Sequence, residues 1–141
     1  MTLKNAVFAI AFASALVGAG LAPARDAQSD RPVTAEQLIA QALADDPGKE
    51  VIAQVYTFPP GAVLPWHIHP DAHEIAYVLE GTLTFEREGD APRKIAAGGA
   101  EYLAPNVVHR GMNKTDKPVR LFVVRVKPKD KPLVEEVPPP Q

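Results

Sequence analysis

Turn residues return at short intervals from position 59 onward: Pro59-Pro60-Gly61, Pro70-Asp71, Glu80-Gly81, Gly89-Asp90, Gly98-Gly99, Pro105-Asn106 and the stretch from Asn113 to Pro118. Each mark contains a residue that fixes φ, frees it, or bonds its own backbone into a reversal. The runs between marks up to Asn113 are five to eight residues long. That length suits a strand and is short for an ordinary helix of three turns. Thr82 to Glu86 alternates in polarity, as a half-buried strand does, whereas Val119 to Val126 is apolar on both faces. Many short strands at this spacing predict an all-β sandwich or barrel.

The two ends read differently from this middle. Lys4 precedes an apolar run from Ala6 to Ala22, and Ala22-Pro23-Ala24 fits a small-x-small cleavage site. Residues 1–24 are therefore predicted to be a secretory signal peptide cut after Ala24, giving a periplasmic or secreted product with no stable membrane anchor. No twin arginine precedes the run, so export of an unfolded chain is expected. Residues 25–33 read as a linker, 34–127 as one domain, and 128–141 as a Pro- and charge-rich tail, either disordered or laid on a neighbouring molecule. The chain has no cysteine, hence no disulfide. Its formal net charge of −2 offers no basic field for nucleic acid.

The residues with chemistry to offer lie in two segments. His67 and His69 are two apart, so in a strand both imidazoles point to one side. Glu74 follows the Pro70-Asp71 reversal and opens a second apolar run, and His109 ends a later segment. Two imidazoles and a carboxylate on facing strands make most of a divalent-metal site with open positions for water or substrate. His73 adjoins Glu74 and should face the other way, as a surface residue. Two other roles stay open for it: replacing Glu74 as ligand, or shuttling protons at the pocket mouth.

Gly61, His67, His69, Glu74 and Gly81 together resemble the first motif of the cupin family, and Gly99, Pro105, His109 and Asn113 resemble the second. The second departs in one place: the family usually has glycine two residues after the proline, where this chain has Val107, and His109 comes one residue early. The resemblance implies a single-domain antiparallel double-sheet jelly-roll barrel over about residues 50–127. It also implies one divalent ion (Fe, Mn, Ni, Cu or Zn) held by His67, His69, Glu74 and His109.

Residues 34–43 fit both a capped helix, through Thr34-x-x-Gln37, and an alternating strand. Similarity to small cupins favours the strand, which would cover a sheet edge. The apolar outer residues Ile75, Tyr77 and Leu79, with the same similarity, suggest a homodimer.

If the histidines point inward, alternation puts Val63 and Pro65 beside His67, Ala76 and Val78 beside Glu74, and Val107 and Gly111 beside His109. This predicts a small apolar substrate pocket without lysine, serine nucleophile or second carboxylate. Nucleophilic and paired-carboxylate mechanisms then lack their parts. Metal-centred chemistry on a small molecule remains. The resemblance points to a dioxygenase-like oxidoreductase in which Glu74 doubles as a base; isomerase or decarboxylase chemistry, or a non-catalytic metal- or ligand-binding module, are the alternatives.

Overall fold

The computed structural model describes residues 32–141, so the signal peptide and most of the linker lie outside the described residues. The described chain is all-β, with ten strands: β1 (Thr34–Ala42), β2 (Lys49–Phe58), β3 (His67–Ile68), β4 (His73–Glu80), β5 (Thr82–Arg87), β6 (Arg93–Ala96), β7 (Ala100–Leu103), β8 (His109–Met112), β9 (Val119–Pro128) and β10 (Glu135–Glu136). They form two five-stranded antiparallel sheets, in the orders β1-β2-β9-β4-β7 and β10-β3-β8-β5-β6. This is the expected jelly roll.

The ambiguous segment 34–43 is a strand. β1 pairs along nearly its whole length with β2, and a bulge between Gln37 and Ile39 leaves Leu38 without a partner. Pairing of this extent overrides the local helix signal. The turn at Gly81 needs glycine twice over: its φ is +79°, and an added Cβ would sit 2.7 Å from the Pro118 carbonyl oxygen.

Strand β9 lies at the centre of its sheet, paired with β2 on one side and β4 on the other. Its inward residues are Val119, Leu121, Val123, Arg125 and Lys127, all buried. The first three join Phe58, Ala62, Val78, Leu83, Phe85 and Leu103 in one apolar cluster. The last two are charged. Along this single strand the barrel interior changes from oil to ions, and the histidines belong to the charged end.

The tail lies along its own chain. β10 pairs with β3 of the same chain, Glu135 opposite Ile68 and Glu136 opposite His67, and the Val137 N–H donates to the Trp66 carbonyl at 2.9 Å. A bare edge of β3 offered unpaired backbone groups, and the tail supplies their partners.

Candidate metal centre

β3 and β8 run side by side with His67 directly opposite His109. His69 follows two residues after His67 and turns the same way. The two loops that lead out of this pair are clasped: the Asp71 N–H donates to Asn106 Oδ1 and Asn106 Nδ2 donates to Asp71 Oδ1, both at 3.0 Å. Both residues have positive φ, 54° and 64°. Asn and Asp tolerate that conformation better than other side chains. Asn106 thus makes the left-handed turn itself, which is why Val107 can stand where the cupin pattern usually has glycine.

The three imidazoles are buried and converge, with ring centroids 4.3–5.2 Å apart. One ligand nitrogen from each lies within 4.8 Å of the others. On every ring Nδ1 faces a backbone carbonyl: Pro65 for His67 at 2.8 Å, Val107 for His109 at 2.8 Å, and Leu133 for His69 at 2.6 Å. A carbonyl only accepts, so Nδ1 carries the proton and Nε2 keeps its lone pair. Burial, helped by His109, lowers the His67 imidazole to about 3. Burial also lowers His109, against the opposing pull of Glu74. Both rings are therefore neutral at pH 7.

Glu74 stands at the edge of this triad. Its Oε2 is 2.9 Å from His69 Nε2 and its Oε1 is 4.0 Å from His109 Nε2. Yet His69 Nε2 is a buried polar atom without a hydrogen-bond partner among the described residues. The proximity is not a hydrogen bond, because with the proton on Nδ1 both facing atoms are acceptors. A cation would satisfy both at once, and neutral imidazoles with free Nε2 lone pairs are the form that binds metal. The donor set fits a metal ion.

Sequence reasoning missed what lies behind Glu74. Glu74 and Arg125 are opposite one another on β4 and β9, and Arg125 Nε donates to Glu74 Oε2 at 2.6 Å. Arg125 Nη1 reaches Gln54 Oε1 at 2.9 Å and the Tyr56 hydroxyl at 3.0 Å. Burial alone would raise the Glu74 carboxyl, but the Arg125 guanidinium outweighs it and holds the carboxyl well below the ordinary carboxylate range. Lys127, also buried, donates to Glu50 at 3.1 Å. Continuing the alternation of β9 two steps past Val123 would have found both charges.

Ala76 and Val78 do face inward, Val78 within the apolar cluster, and Val107 packs against it. Gly111 faces Leu83 and Phe58, which a Cβ added there would meet at 3.4 and 3.5 Å. Val63 and Pro65 instead line an outer groove with Leu64, Trp66, Arg110, Val137 and Pro139. Residues 59–66 lie outside the strands, so a period of two does not carry through them to His67. His73 is exposed and bonds Tyr102 Oη through Nδ1 at 2.8 Å, away from the triad.

Fold and site define a class: small double-sheet β-barrels with an interior three-imidazole centre able to hold a metal ion. The family described as cupin domain matches residues 54–125, and the chain belongs to it. None of the curated proteins compared with the chain matches it. Among solved structures it is similar to an uncharacterized conserved protein with a double-stranded β-helix domain from Klebsiella pneumoniae, with 20% identity, 79% of this chain and 89% of the other covered, and a TM-score of 0.61. It is also similar to the polyketide cyclase RemF from Streptomyces resistomycificus, at 21% identity over 77% of this chain and 73% of the other, with a TM-score of 0.60. The DMSP lyase DddQ from Ruegeria pomeroyi is 26% identical over 62% of this chain and 43% of its own length, with a TM-score of 0.53. The first two likenesses speak to fold alone.

Proposed function

We propose that this chain is an exported, metal-dependent cupin enzyme in which His67, His69 and His109 hold one divalent ion and Glu74 completes its surroundings. One observation carries the reading: three Nδ1–H groups are committed to backbone carbonyls, so three Nε2 lone pairs are left facing one another. A bound ion would supply Lewis-acid polarisation or oxygen chemistry at its open positions, and a dioxygenase-like oxidoreductase acting on a small organic molecule is the reaction class proposed. Iron, manganese, nickel, copper and zinc are all admissible, since imidazole and carboxylate donors without thiolate select weakly among them.

The chain's own residues set the conditions for that chemistry. Arg125 keeps Glu74 anionic, so Glu74 serves as a fixed negative charge at the metal and is a poor general base at neutral pH. This changes the role expected for it from the cupin resemblance. Phe85, 5.9 Å from the His109 ring, and the apolar cluster behind it exclude water from one side. Export rests on residues 1–24. We also propose that the exposed Ile75, Tyr77, Leu79 and Tyr102 on the outer sheet face form a homodimer surface; sedimentation that finds only monomer at micromolar concentration refutes that part.

The test is metal content and oxygen uptake. Purified protein should carry up to one ion per chain, and loading with each candidate metal should support oxygen consumption with one of a panel of small aromatic and enol substrates. Turnover that persists in a metal-free His67→Ala, His109→Ala variant overturns the reading. A second reading, a non-catalytic metal- or ligand-binding module, is favoured by the tail that closes over β3; stoichiometric metal binding without turnover of any substrate would support it.

A further inference from the structure

Two of the three histidines take their orienting carbonyl from two residues upstream, Pro65 for His67 and Val107 for His109. His69 does not. Its Nδ1–H bonds Leu133, 64 residues downstream, in the C-terminal tail. The tail is placed by several contacts at once: β10 on β3, the Val137 N–H on the Trp66 carbonyl, and Lys131 Nζ 3.8 Å from Asp71 in the clasped loop. Its prolines at 132, 138, 139 and 140 have few backbone states to lose on ordering. Pro139 lies in the groove beside Trp66 and Arg110, and Pro140 in the adjoining one, with the Arg110 guanidinium 4.7 Å from the Trp66 ring.

We propose that the tail is a working part of the metal centre: the Leu133 carbonyl is the positioning group that fixes the His69 tautomer and ring angle, so tail docking and metal affinity are coupled. The inference rests on the metal-binding reading above. Without Leu133, Nδ1 of His69 loses its acceptor and the proton is free to move to Nε2, the atom that must be bare to bind an ion. Loss of such an outer partner typically weakens metal binding 10–100-fold. Coupling is reciprocal, so bound metal must also hold the tail down.

The experiment compares the full chain with one ended at Lys129 and with Val137→Pro, which removes the N–H that ties the tail to Trp66 and stiffens the backbone at the end of β10. Zinc affinity is measured by competition with a chromophoric chelator. The expected result is a 10–100-fold weaker Kd for the truncated chain and a smaller loss in the same direction for Val137→Pro, with strand-dominated circular dichroism retained. Equal affinity of folded truncated and full chains overturns the proposal. Long-range proton–nitrogen NMR of the imidazoles, recorded without metal, separates the two readings. The Nδ1–H tautomer should be lost at His69 alone on truncation, while His67 and His109 keep theirs. An unchanged His69 signal refutes the positioning role even if zinc binding is weak. Failure of the full chain to bind zinc, with the tautomer shift present, refutes the metal reading instead. If the truncated chain does not fold, Val137→Pro decides by the same two readouts. The single tryptophan, Trp66, reports in each variant whether the tail has left its groove.

Discussion

Replacing Arg125 with methionine tests the polar half of the barrel. The guanidinium is 2.6 Å from Glu74, and both side chains are at most 7% exposed. Methionine keeps much of the buried stem but leaves the carboxylate without its cation, and Gln54 and Tyr56 lose a donor as well. Breaking a buried pair in this way costs about 3–5 kcal/mol. A domain of this size has a total stability of about 5–15 kcal/mol, so the variant should sit near the edge of folding. Urea unfolding of metal-free protein at pH 7 measures the loss. The pH dependence should also change sign. In the parent, the depressed Glu74 carboxyl contributes stability above the ordinary carboxylate pKa, and that contribution is lost as acid protonates it. In Arg125→Met the carboxyl is raised by burial, so acid neutralises a stranded charge and the variant recovers part of its deficit. The double variant Glu74→Gln, Arg125→Met should be more stable than the single one at pH 7. A single-variant cost below about 1 kcal/mol, or no recovery in the double, refutes the view that these two charges depend on one another.

Four further outcomes are expected. His69→Ala should abolish most metal binding while His73→Ala leaves it intact, by elemental analysis; equal losses would put His73 in the site. Metal-free protein should lose stability as pH falls from 6.5 towards 3, because His67 is neutral when folded and takes up a proton when unfolded; the slope should approach about 1.4 kcal/mol per pH unit for that group, and a flat profile in urea would contradict it. Gly81→Ala should cost about 1–2 kcal/mol from the left-handed backbone alone, with more from the Pro118 carbonyl at 2.7 Å; an unchanged melting temperature would show that the turn relaxes freely. Asn113→Ala should cost about 2–3 kcal/mol, since this buried side chain donates to Phe58 and Lys117 and accepts from Thr115; thermal unfolding of the variant measures it.

The strands and the histidines were legible because local signals and long-range structure agree there. Gly and Pro punctuation marks real turns, and the spacing of His67 and His69 puts both rings on one side. Alternation misled at Val63 and Pro65 because the segment before His67 is irregular backbone, which carries no period. It also stopped short on β9, where the apolar run drew attention away from Arg125 and Lys127 on the same face. The tail was illegible for a different reason. Its composition is that of an unstructured segment, and what orders it is an edge strand some 67 residues away, visible only once β3 is in place.

The central position of β9 bears on how the molecule is made. Ribosomal synthesis delivers β2 and β4 before β9, and the two do not pair with one another; each waits for β9, the ninth of the ten strands among the described residues. Until then Glu74 has no Arg125, both flanking strands expose a bare edge, and His69 lacks the Leu133 carbonyl. The β1-β2 and β4-β7 pairs and the β3-β8-β5-β6 strands can form earlier, but the sheet that carries Glu74 is joined, and His69 finds its acceptor, only once β9 and the segment after it have been made. A chain cut ahead of β9 would keep the facing edges of β2 and β4 bare, two strand edges open to aggregation.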